Sequence, residues 1–228
     1  MSTTKRQFIN FCFFKTEASW GLLSEGERKV ACKEFIELAE NAKKDLLIYT
    51  YSLVGLHRDA DFLIWRIGWS FEDIQRMSEA RRTSKLGRHL KVSYSMNAMT
   101  KRSQYVDKLD PEHQESRVRI QVGSGKYLFV YPFVKKREWY QLPLEERQRM
   151  MDAHIRTGNK YPSVKLHTTY SFGLDDQEFV VAFETDKPED FLDLVQELRE
   201  AEASQYTLRD TPIFTCIRKP LSEILRSL

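Results

Sequence analysis

One ordered set of secondary-structure signals occurs twice in this chain, and that repetition restricts the fold more than any single motif. Gln7–Lys15 is aromatic-rich and reads as a strand. Ser24 with Glu27 three residues later forms a capping box. The helix it opens runs to about Ala42, with Val30, Phe35 and Leu38 near helical spacing. Leu46–Leu53 and Ala60–Gly68 read as strands joined through a Gly/His/Asp turn, Phe71–Ser84 as a helix and Leu90–Met96 as a strand. The C-terminal half repeats this order. Lys126–Phe133 is a strand that Pro132 is expected to end, and Leu144–Thr157 is a helix stopped by Gly158. Val164–Phe172 and Glu178–Glu184 are strands around a Gly-Leu-Asp-Asp turn, Pro188–Ala203 is a helix with proline in its first turn, and Ile213–Ile217 is a last strand. Each half therefore reads strand, helix, strand, strand, helix, strand, which is the ferredoxin-like pattern.

The pattern predicts an α+β fold of two ferredoxin-like units in one subunit, of the dimeric α+β barrel type. Two sheets pack together, with helices on one side of each. The expected division is residues 1–100, a linker or lid at 101–125 that is polar and contains Pro111, and residues 126–228. A length of 228 residues fits one large domain or two small ones. Such a fold does not fix a function.

Composition removes several classes. Hydrophobic residues make up 41% and charged residues 30%, as in an ordinary globular protein. The formal charge of +3 does not point to a nucleic acid partner. The densest basic run, Arg81 to Arg88, reads as a solvated helix end. Cys12, Cys32 and Cys216 are widely spaced, with no CxxC pair for zinc or dithiol chemistry, and they fit a reducing compartment. Phe8–Phe14 is apolar, but Lys15 and Glu17 end it and no small-residue cleavage site follows, and no apolar stretch approaches the roughly 20 residues of a membrane span. The expected location is cytoplasmic, without membrane insertion.

The histidines differ in setting. His57 lies in a turn, His113 in the polar segment and His89 in a Gly-Arg-His connection, and all three read as exposed. His154 lies near the end of a predicted helix, with Met150 and Met151 four and three residues before it. An imidazole beside apolar side chains suits an iron porphyrin, which takes an axial nitrogen ligand. By spacing alone, a histidine satisfied in the core or at the helix end is the better reading. His167 lies on a strand where Val164, Leu166 and Thr168 share one face and Lys165, His167 and Thr169 the other, and periodicity does not say which face is functional. Tyr131 and Lys135 flank the end of a strand. Tyr131 reads equally as a packing residue or a redox-active phenol, and Lys135 as a partner for a carboxylate.

Three pieces in order, YPFVKKREWYQLPLEERQRMMDAH, SFGLDDQEFVVAFETD and DTPIFTC, resemble the C-terminal half of the chlorite dismutase and coproheme decarboxylase superfamily. The likeness runs from Tyr131 to Thr215. The N-terminal half fits in element order and shows few signature residues. The resemblance implies a homopentamer whose subunits are two ferredoxin-like halves, with heme in the C-terminal half. His154 takes the place of the proximal iron ligand. Tyr131 takes the place of the tyrosine whose radical attacks a propionate, and Lys135 that of a propionate contact. Thr211 stands where a serine contacts a propionate, and Arg117 and Tyr94 match further propionate contacts through a looser alignment. His167, thirteen residues after His154, is set where chlorite dismutases carry an arginine, and there it would serve as a base toward peroxide.

The resemblance thus implies a heme-dependent oxidoreductase. Its foremost expected reaction is the peroxide-dependent oxidative decarboxylation of coproheme to heme b, with coproheme as both substrate and cofactor. Two alternatives stand beside it. One is another heme peroxidase or chlorite-degrading enzyme, with heme b as cofactor. The other is a heme carrier or sensor without turnover.

Overall fold

The chain has strands buried along nearly their whole length and strands that alternate, and the barrel they build explains both. The computed structural model describes residues 5–105 and 119–228. Strands β1 (Phe8–Thr16) and β3 (Phe62–Gly68) are buried on both faces, one facing the barrel interior and the other a layer of helices. The remaining strands are β2 (Leu47–Ser52), β4 (Leu90–Met99), β5 (Tyr127–Lys135), β6 (Lys165–Tyr170), β7 (Phe179–Thr185), β8 (Thr207–Arg209) and β9 (Phe214–Arg218). The helices are α1 (Glu25–Ala42), α2 (Phe71–Thr83), α3 (Arg137–Gln141), α4 (Leu144–Asn159), α5 (Pro188–Glu200) and α6 (Leu221–Arg226).

The N-terminal strands lie in the order β4-β1-β3-β2, and the C-terminal strands repeat it as β9-β5-β7-β6. Both orders are ferredoxin-like, as expected. The expectation of two packed sheets is replaced by edge-to-edge closure. β2 pairs with β9 and β4 with β6, so the two halves form one barrel wall and leave few free edges. The interior is filled by Ile9, Phe11 and Phe13 from β1, Trp65 from β3, and Phe214 and Cys216 from β9, among others. Phe13 and Phe214 stack at 3.9 Å.

Outside the N-terminal wall, α1 and α2 cover Cys12, Phe14, Phe62 and Ile64. The capping box forms: Ser24 Oγ accepts from the Glu27 backbone, and the Glu27 carboxylate accepts from the Ser24 N–H at 2.8 Å. Val30, expected on the buried stripe, is 52% exposed, because the stripe runs through Ala31, Phe35 and Ala39 at every fourth residue. Outside the C-terminal wall, α5 sets Phe191 and Leu194 on Phe129, Tyr131 and Phe183, with the Phe129 and Phe191 rings stacked at 4.0 Å.

Pro132 does not end its strand. It pairs with Val180 inside β5, at a point where β5 has a neighbour on one side only, since β9 pairs up to Val130 and β8 begins at Val134. Asn97 is within β4. All three thiols are free, with Cys12 and Cys216 buried. Among the described residues no helix is long and apolar enough to cross a membrane.

Candidate functional site

Alternation along β5 sends Phe129, Tyr131, Phe133 and Lys135 to the outer face and Leu128 and Val130 into the barrel. The side chain of Tyr131 is buried and stacks on Phe183 at 5.8 Å. Burial pushes its phenol pKa well up, offset in part by Arg199, with Asp210 acting in the same direction as burial, so the hydroxyl keeps its proton at ordinary pH. Arg199 of α5 and Asp210 form an ion pair beside it.

Lys135 extends the same face toward α3. Its Nζ donates to the Ala203 carbonyl at 2.8 Å and sits 4.4 Å from the centre of the Trp139 ring. Burial lowers its pKa to about 8. Its backbone N–H donates to Glu178 Oε2, and the Tyr140 hydroxyl donates to the same oxygen at 2.6 Å. Glu178 thus ties the end of β5 to α3.

His154 stands on α4, one turn beyond Met150, which is buried with Trp139 and Ala203. Gln148 holds this helix to the chain before it, donating to the Tyr105 carbonyl at 3.0 Å. The imidazole is partly buried, and burial together with the Lys135 ammonium brings its pKa down to about 4. It is therefore neutral at physiological pH, the form in which an imidazole nitrogen can ligate a metal. Among the described residues no three His, Cys, Asp or Glu side chains converge as a metal cage. A metal bound at His154 has to bring other ligands with it, as an iron porphyrin does. The donor set and the aromatic face of β5 fit such a group.

Strand register reverses the expected placement of His167. Tyr131 pairs with Val181, and Val181 with Thr168, so these three share the outer face. His167 pairs with Ala182, a barrel residue, and is buried inside, with Nε2 2.7 Å from Glu184 Oε2 and its ring 5.5 Å from that of Trp65. The outer face of β6 presents Leu166, 47% exposed, and Thr168 in its stead. The hairpin between β6 and β7 sets this register: Gly173 turns it with a φ of +70°, and the Ser171 N–H donates to the Glu178 carbonyl at 2.7 Å. Counting outward from that turn gives the pairing partners of β6, and barrel closure then decides which face is interior.

The other predicted contacts divide. Thr211 is exposed and follows Asp210, whose charge reaches the Tyr131 phenol. Tyr94 lies at the barrel end against Phe13 and Phe214, with ring centres 6.4 and 5.0 Å away, and is not brought to Tyr131. Arg117 and His113 lie outside the described residues. Glu178, Trp139 and Leu166 were not singled out from sequence.

The sequence profile described as chlorite dismutase matches residues 3–219. The chain belongs to the chlorite dismutase family. A coproheme decarboxylase of Mycolicibacterium smegmatis is 34% identical over 179 residues, spanning 78% of this chain and 75% of that protein. A variant of chlorite dismutase from Candidatus Nitrospira defluvii superposes with a TM-score of 0.90 at 29% identity, covering 99% of this chain and 96% of the other. A structure named as a heme-binding protein, from Thermus thermophilus, superposes with a TM-score of 0.88 at 25% identity, covering 98% and 95%.

Proposed function

We propose that this family member is a heme-dependent oxidoreductase whose substrate is coproheme, and that it uses peroxide to convert two propionates to vinyl groups with release of carbon dioxide. The observation that carries the reading is a buried, protonated Tyr131 phenol on the same sheet face as Lys135, beside a neutral His154. The 34% identical coproheme decarboxylase supports the substrate. The bound porphyrin supplies the redox-active iron and the propionates that react.

His154 offers a neutral ring nitrogen to the metal. Lys135 offers an ammonium to a carboxylate, since at pH 7 a group with a pKa near 8 is mostly charged. Thr211 offers a hydroxyl to a second carboxylate. Tyr131 would be the phenol that peroxide oxidises, its Oη hydrogen leaving in a water formed from the peroxide, and the resulting radical would take hydrogen from a propionate. Leu166 and Thr168 line the face without a group that titrates near neutral pH, so the proposal gives His167 no part in proton transfer. The same face of β6 offers no cation for a chlorite-derived anion, and a chlorite-degrading reading has less support. The proposal also takes the chain as a cytoplasmic homopentamer, and light scattering that finds a stable monomer across micromolar concentrations would count against that assembly.

The decisive experiment compares wild type with Tyr131→Phe, loaded with coproheme and treated with peroxide, by product mass and stopped-flow spectra. Phenylalanine keeps the ring's volume, so binding is expected to stay near wild type while no decarboxylated product forms. Heme b made by Tyr131→Phe at the wild-type rate overturns the radical assignment. A wild type that binds coproheme and forms no product overturns the reaction itself.

A further inference from the structure

The barrel interior contains a polar group that the proposed chemistry does not use. Tyr51 and Trp65 are 0% exposed and Glu184 is 2% exposed, and each has a polar atom with no protein partner: Tyr51 Oη, Trp65 Nε1 and Glu184 Oε1. Buried polar atoms without partners are rare, and each calls for a physical explanation.

The three side chains come from different strands and are linked through neighbours inside the barrel. On β2 and β3, Tyr49 is opposite Trp65 and Tyr51 opposite Leu63, so Tyr51 and Trp65 are diagonal neighbours. Trp65 packs its ring 5.5 Å from that of His167, and His167 is bonded to Glu184. Glu184 in turn acts on Tyr51: burial raises the Tyr51 phenol pKa, and the Glu184 charge raises it further. No direct hydrogen bond joins the two. A polar gap wider than a hydrogen bond is where a bridging water belongs.

The other oxygen of Glu184 is fully engaged. Oε2 takes the His167 contact and accepts the Gly123 N–H at 2.7 Å. That leaves Oε1 as an unpartnered acceptor, with one O–H and one N–H donor unpartnered in the same interior. This set selects the ligand. An anion would meet the carboxylate, and a metal cation would meet the hydrogens of the phenol and indole. Water has two lone pairs for the two donors and a proton for the acceptor.

We infer that the barrel interior binds an ordered water through Tyr51 Oη, Trp65 Nε1 and Glu184 Oε1, at a site separate from the Tyr131 face. The water completes the polar connection from β2 and β3 to the Glu184 and His167 pair on β7 and β6. It gives the buried carboxylate and histidine a polar partner in a largely apolar core.

The test is a crystal structure of the full chain at a resolution that shows ordered water, paired with oxygen-17 water relaxation dispersion on the wild type and on Tyr51→Phe. The expected result is a density peak within hydrogen-bond distance of all three atoms, and one fewer long-lived internal water in Tyr51→Phe. Tyr51→Phe keeps the ring that fills the core, so the variant is expected to fold, and circular dichroism checks this. Tyr51 Oη bonded directly to Glu184, a dry gap, or an unchanged count of long-lived waters in the folded variant overturns the inference. Because none of these measurements needs porphyrin, they are independent of the proposed reaction.

Discussion

The two halves of the barrel share a strand order and differ in what they place outside it. In the N-terminal half, α1 and α2 close over Cys12, Phe14, Phe62 and Ile64, and Phe35 at the centre of that layer is 0% exposed. In the C-terminal half, the equivalent face carries Tyr131, Lys135 and, on the helix above, His154. Its β6 edge leaves Leu166 and Thr168 open. One repeat contributes stability through a completed apolar layer. The other holds titratable groups in a partly open one, where α5 covers Tyr131 and the Trp139, Met150 and Ala203 cluster lies beside Lys135 and α4.

That contrast can be broken from either side. The largest expected effect is on the N-terminal layer. Phe35→Ala should lower unfolding free energy by about 3–5 kcal/mol, as large-to-small changes in packed cores do. The porphyrin affinity of the folded fraction should be unchanged, and urea melts with titration of the folded protein measure both. A loss of affinity in protein that is still folded would mean that the halves are coupled rather than divided in role.

His154→Ala is the reciprocal change. Removing an outer partner of a metal ligand alone weakens binding about 10–100-fold, so removing the ligand should weaken porphyrin binding by more than about 100-fold. Stability should change little. Retention of a histidine-ligated spectrum would reject His154 as the axial residue.

Glu184 tests the interior that both halves share. Burial alone would raise its pKa, but the contact with His167 and the bond from Gly123 hold it below the ordinary value. The unfolded carboxyl titrates near about 4.3. Its contribution is therefore full above that pH and is lost as pH falls through the lower folded value, because the unfolded state then binds more protons. Glu184→Gln should cost about 1–3 kcal/mol at neutral pH and flatten the loss of stability below about pH 4. Equal acid slopes in urea titrations of the two proteins would contradict this account.

Thr211→Val should have the smallest effect. Loss of one hydroxyl contact to a carboxylate corresponds to about 0.5–1.5 kcal/mol, or at most about tenfold in coproheme affinity. Heme b, with fewer carboxylates, should bind with less change. An equal loss for both porphyrins would remove Thr211 from propionate recognition.

The sequence by itself determined the elements and their duplication. The capping box at Ser24, the proline-started helix at Pro188 and the Gly-Leu-Asp-Asp turn are local signals, carried by residues a few positions apart, and each lies where it was read. Within the motif from Tyr131 to His154, the fold brings the Lys135 ammonium close enough to act on the His154 imidazole. Tertiary structure decided which face of each strand is which. Alternation correctly separated His167 from Leu166, but closure of the barrel gave β6 an interior side, and Glu184 supplied the buried partner that lets a histidine occupy it. Pro132 stays within its strand for a related reason: whether a proline breaks a strand depends on which neighbours the strand has, and β9 and β8 are contributed by residues far along the chain. Polarity and periodicity report on a residue's near neighbours, whereas register and inside-versus-outside are set by strands that meet only when the barrel closes.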